Sequence, residues 1–198
     1  MSLELWNTFA TFGTFLVISA TAIAAIVQLR HARGSNQIAA LNELRETSER
    51  PDFQTAQHFV TTQLAEKLTD PEFRYQVVNM AARSNDNGPL IARAIAIGNF
   101  HESTAILLKD GLIDRELALE IWNAIVIRHW KALAPVTAMI RRGPGSIAWE
   151  NFEYLTVLSE DWHAAHSKGT YPPGVRRIEL TDSWLEADKR YASSRRTP

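Results

Sequence analysis

LWNTFATFGTFLVISATAIAAIVQLRHAR, Leu5 to Arg33, opens with 25 consecutive uncharged residues, Leu5 to Leu29, and then stops at Arg30. The whole chain of 198 residues has a slightly negative mean hydropathy, so this run is a local feature and not a bias of composition. At 1.5 Å per residue a helix of that length extends about 37 Å, and a bilayer's hydrocarbon core needs about 30 Å. A helix is the one single-segment structure that hides its own backbone polarity from lipid. The run is therefore read as a membrane-spanning helix over 5–29. Trp6 lies at its start, where an indole favours the headgroup layer.

Three other readings of the run are weaker on physical grounds. A cleaved signal peptide calls for a basic leader and a shorter apolar region, whereas the early side-chain charge here is Glu4. A core helix of a soluble domain seldom stays uncharged for so long. An interfacial helix needs a charged face, and the run has none. Arg30, His31 and Arg33 follow the run directly, and the positive-inside rule then places the amino terminus outside and the rest of the chain in the cytoplasm.

Over the whole chain, charged residues make up 22% and hydrophobic residues 45%, which suits a folded domain. The net charge of −1 gives no global field that would gather nucleic acid. The chain has no cysteine, so disulfides, thiolate metal sites and cysteine nucleophiles are excluded. Ile38, Leu41 and Leu44 recur at helical steps and Pro51 closes that pattern, which predicts a helical stalk over 30–50 with Gly34 loosening its junction to the span. Pro51 opens the next helix, expected to continue through Leu68, and Asp70 with Pro71 opens another. Ser84 to Leu90 reads as a turn before a long helix from Pro89 to Lys109. Gly111 then suits a left-handed stop, and Asp114 caps the helix that follows. Pro135 predicts a kink or restart, GPGS at 143–146 predicts a stop, and the last large helix follows it. No strand alternation or internal repeat is visible. The expectation is an all-α domain over 51–168, a compact bundle of five to six helices after the span. A basic tail follows over 169–198 with one short helix. From Lys168 to Pro198 there are seven Lys or Arg against four Asp or Glu.

The polar residues offer few footholds for chemistry. Ile91, Ile95, Gly98, Glu102 and Ala105 fall on one helical face, so Glu102 interrupts an apolar stripe. A carboxylate there must pair or take up a proton, and Arg128, His129 or Arg141 are its expected partners. The catalytic candidates are accordingly Glu102, His101, His129 and Arg141, set against an internal ion pair that merely fixes helix register. His101 and Glu102 begin an HExxH pattern, but position 105 is Ala, so the second ligand is missing. His163 and His166 lie three apart on a helix and are the candidate metal ligands, with no third ligand fixed by spacing. There is no nucleophile elbow and no phosphate-binding loop, so no cofactor is expected. Trp122, Val126, Trp130 and Leu133 form a stripe best read as core.

The segment NFHESTAILLKDGLIDRELALEIWNAIVIRHWKAL, Asn99 to Leu133, resembles an uncharacterised bacterial family known only as a domain of unknown function. The resemblance rests on an N-terminal span, the junction Gln28–Leu29–Arg30, and an N-F-x-E segment at Asn99, Phe100 and Glu102. It continues with a GLID turn at Gly111 to Asp114, Trp130, an arginine at 141 or 142, and a late pair at Phe152 and Glu153. It implies a membrane-anchored helical domain and no activity. It also implies that Glu102, Trp130 and an arginine pack together. The function expected from all of this is a membrane-anchored interaction or scaffold module, held in the bilayer through 5–29 and binding a protein partner or its own copy. The alternative is a tethered hydrolase or nucleotide-acting enzyme that uses Glu102 with nearby His or Arg.

Overall fold

The computed structural model describes residues 3–142 and 147–195, and the side chains of these except residues 3–5 and 8–10. The expected stop at 143–146 lies outside the described residues. Residues up to Ser167 form one unit and those from Lys168 on form another.

The first unit begins with α1, a single helix over Leu3–Glu49. The predicted loosening at Gly34 does not occur. Gly34 lies inside the helix, and a Cβ there would meet nothing within 4 Å. The run and the stalk are thus one rod, and Leu41 and Leu44 near its end are buried against the domain. The rod ends where it must. Arg50 precedes Pro51, whose ring drives the preceding residue out of the helical region, and Arg50 is extended at φ −64, ψ 140.

Pro51 opens α2, Pro51–Thr62, which buries Phe53, Ala56, Phe59 and Val60 on one face. The helix expected to continue to Leu68 breaks at Gln63, and a single turn, α3 at Leu64–Lys67, follows. The Thr61 and Thr62 hydroxyls donate back to the carbonyls of Gln57 and His58, a local competition that bends helices at the point of the break. Asp70 caps α4, Pro71–Val78, by accepting from the Glu72 amide at 2.9 Å. A 3-10 turn at Met80–Ala82 leads to α5, Asn87–Lys109.

The end of α5 is a Schellman motif. The Leu112 amide donates to the Leu107 carbonyl and the Gly111 amide to that of Leu108, with Gly111 at φ 68 as its sequence predicts. Asp114 then accepts from the Leu117 amide and starts α6, Arg115–Ile140. Pro135 does not restart the helix, and α6 runs through it without a break. It lies on the exposed side between buried Leu133 and Val136, where water can serve the carbonyl that loses its partner. The last helix of the unit is α7, Glu150–Ala165.

Helices α5, α6 and α7 pack on one another, and α2 packs on α5. Their shared core includes Phe59, Phe73, Ile97, Leu133 and Phe152. In the second unit α8, Leu185–Ser194, forms the expected short helix of the tail. The described residues are all-helical and contain no strand. The helix count is corrected: seven α-helices follow α1 among the described residues, against five to six expected, because α2 and α3 separate and the tail supplies α8.

Candidate functional site

Glu102 stands at the junction of α5 and α7, and its partners are not those its sequence position suggested. One carboxylate oxygen accepts from the Asn151 side-chain amide at 2.7 Å, the other from the Phe152 backbone amide at 2.8 Å. Asn151 and Phe152 belong to the first turn of α7, whose leading amides have no intrahelical partner. Glu102 is therefore an N-terminal cap delivered from another helix, with its negative charge at the positive end of the α7 dipole.

That cap answers a local need. The residue that begins α7 is Trp149, which sits in the left-handed region at φ 55 and supplies no side-chain cap of its own. Its indole lies flat against Gly98, where a Cβ would come within 2.2 Å of the ring, and its Nε1–H donates to Asn99 at 2.9 Å. Gly98, Asn99 and Glu102 on α5 thus hold the entry to α7 between them. Phe100, in the same segment, packs its ring edge-on against Phe53 of α2 at 4.7 Å.

Arg141 is placed beside the same helix start but does not pair with Glu102. It donates to the Ala148 carbonyl at 2.9 Å and to Glu153 at 2.6 Å. The expected Glu102–Arg141 pair is thereby corrected. Each of the two groups serves a different part of the α7 entry, and the second terminal nitrogen of Arg141, Nη2, is buried with no hydrogen-bond partner among the described residues. Trp130 completes the surround, with its ring edge-on to Phe152 at 5.0 Å.

Among the polar residues sealed in the core are two ionisable ones, His101 and His129. His101 Nε2 and His129 Nδ1 are 2.8 Å apart, and both rings are buried. The His101 ring stacks on Phe152 at 4.6 Å. One ring must donate and the other accept, so one N–H and one lone pair remain at the outer nitrogens, His101 Nδ1 and His129 Nε2. Neither has a partner among the described residues. Burial pushes His129 down to about 4, with the positive charge of Arg128 adding to the effect. Burial, and then His129, hold His101 well below the ordinary range. Both are neutral at physiological pH. A cavity with room for about one water lies beside His101, between Thr104, Asn123 and Ser159.

His163 and His166 do not converge on a common point. His163 Nδ1 is 3.3 Å from the Asn123 side-chain oxygen. His166 Nδ1 donates to the Trp162 carbonyl at 2.9 Å and its ring stacks on that indole. Among the described residues no group of three His, Asp or Glu is disposed to hold a metal.

Sequence reasoning missed the histidine pair, whose members lie 28 positions apart. The signal available was the phase of α5. Its buried face runs through Ile91, Ala94, Ile97, Gly98, His101, Thr104, Ala105 and Leu108, which centres the stripe on His101 and leaves Glu102 half-buried at its edge.

One helix among the described residues, the rod α1, is long and apolar enough to cross a bilayer, and none of its apolar window is buried against the rest of the chain. No curated protein and no solved structure matches the chain. A family model does, over residues 15–159, from the middle of the apolar run to the second half of α7. That match takes in the rod, the Glu102 cap and the histidine pair together, and the chain belongs to the family described as domain of unknown function DUF4760.

Proposed function

We propose that this protein is a single-pass membrane protein whose helical domain works by binding, to a protein partner or to a second copy of itself. The observation that carries the proposal is the rod. None of its apolar window among the described residues is buried, while its far half is pinned to the domain through Leu41 and Leu44. Lipid is the solvent that makes such a surface stable. The basic flank at Arg30, His31 and Arg33 supports a cytoplasmic domain and an outer amino terminus, and the family resemblance supports a bacterial inner membrane.

Binding is favoured over catalysis by what the polar residues are already doing. Both oxygens of Glu102 are engaged in holding α7. His101 and His129 are sealed, and the cavity beside His101 has room for about one water. Asn99, Phe100, Glu102, Gly111, Asp114 and Trp130, on which the family resemblance rests, each have an architectural task. The test is crosslinking in cells followed by purification from detergent-solubilised membranes. The expected result is a reproducible partner, or a crosslinked dimer, retained by the Glu102→Gln variant. A hydrolytic or nucleotide-dependent activity that disappears in that variant while the domain stays folded would overturn the proposal.

A further inference from the structure

We infer that the α5–α6 turn, Lys109 to Asp114, is a second membrane contact, with Leu112 seated in the headgroup layer beside the span. The inference rests on the anchoring reading above and adds to it a surface of the folded domain.

The rod acts as a ruler. Because α1 is unbroken through Gly34, each residue past Leu29 stands about 1.5 Å further from the hydrocarbon. Arg33 is then about 6 Å and Gln37 about 12 Å beyond that edge. The turn is tied to the rod between these two heights. Gln37 Nε2 donates to the Gly111 carbonyl at 3.2 Å, and a Cβ on Gly111 would lie 3.3 Å from the Arg33 guanidinium. The headgroup layer adds roughly 5 to 7 Å per leaflet, so the Arg33 side of a turn held at this height meets its outer edge, and the tilt of about 20° common in spanning helices lowers one flank of the rod further.

The side chains fit the position. The Schellman motif turns Ile113 into the core but leaves Leu112 outside at 54% exposure, at the residue immediately after Gly111. Leu112 is thus the one large apolar side chain the turn leaves outside, set among Lys109, Asp110 and Asp114. The turn itself has mixed charge, Lys109 and Arg115 against Asp110, Asp114 and Glu116. Its attraction to the bilayer is thus apolar, with Arg30 and Arg33 of the rod supplying the headgroup contacts. The opposite end of α6 lies some 37 Å away along its axis and serves as an internal reference. There Met139 and Arg142 line a pocket with Val78 and Asn79, next in the chain to the exposed Met80.

A chain without cysteine allows the test with single labels. The full-length protein is labelled with an environment-sensitive fluorophore at Val17→Cys, Leu112→Cys or Met80→Cys. Each is reconstituted at one chain per nanodisc of mixed phosphatidylcholine and phosphatidylglycerol. The expected result at position 112 is a blue shift on reconstitution, quenching by a headgroup-attached spin label, and loss of quenching by aqueous iodide. The label at position 80 stays open to iodide, and the label at position 17 is shielded from it throughout. If position 17 is shielded while position 112 behaves like position 80, the turn contact is overturned and the anchor stands. If position 17 is itself open to iodide, the anchor fails and the turn contact fails with it. Shielding of position 112 from both quenchers means a protein surface covers it, and that also overturns the inference.

Discussion

Glu102 caps a helix it does not belong to: its carboxylate accepts from the Phe152 amide at 2.8 Å and from Asn151 at 2.7 Å, joining the middle of α5 to the first turn of α7. Removing the carboxylate leaves a half-buried backbone N–H at a helix start without its acceptor. Glu102→Ala is expected to cost about 2 kcal/mol, a fall in Tm of about 5 °C for a domain of this size. Glu102→Gln keeps one oxygen for Phe152 but turns an amide toward the Asn151 amide, so its loss should be intermediate. Thermal melts followed by circular dichroism check the order. Equal stability of all three proteins would contradict the capping role.

Gly98 makes room for the Trp149 indole. A methyl group there would stand 2.2 Å from the ring, so Gly98→Ala must displace the indole and break its bond to Asn99. Overpacking of this kind costs about 1–3 kcal/mol. The same substitution in a Trp149→Leu background should cost much less, because the obstructing ring is gone. A double-mutant cycle on the urea midpoint reads the difference. Additive losses would show that the two residues do not share the space.

Acid should loosen the domain through the buried histidine pair. His129 is depressed from 6.5 to about 4 in the folded protein. As pH falls below 6.5 the unfolded chain takes up a proton that the folded chain refuses, so stability is complete above that pH and drains away toward pH 4. At about 1.4 kcal/mol per pH unit, His129 alone accounts for a loss on the order of 3 kcal/mol over that window. His101 is shifted in the same direction and adds to it. Denaturation midpoints measured against pH should fall across this range, and the double variant His101→Leu/His129→Leu should flatten the fall. An unchanged slope in that variant would place the acid sensitivity elsewhere.

Much of the fold was legible because its signals are local. Asp70 with Pro71, Arg50 before Pro51, Asp114 and Gly111 each act within a few residues, and each stands where its chemistry predicts. The site was less legible because it is made at a distance. The residue that needs Glu102 lies 50 positions away, and the left-handed Trp149 that creates the need leaves no mark in sequence. The helical spacing predicts Ile95 and Glu102 on the α5 stripe where the core holds Ala94 and His101, one residue out of phase at two steps. Both stripes share Ile91, Gly98 and Ala105, so spacing alone does not separate them. Pro135 and Gly34 show the opposite failure. Each is a helix breaker by propensity, and packing or continuity on either side overrides it.

The most direct test of the account asks whether α1 lives in lipid. The intact chain is expressed in a bacterial host, and the membranes are washed in alkaline carbonate and sedimented. The account predicts that the unclipped protein stays in the pellet and is released only by detergent. An intact, monodisperse chain in the supernatant without detergent would contradict it.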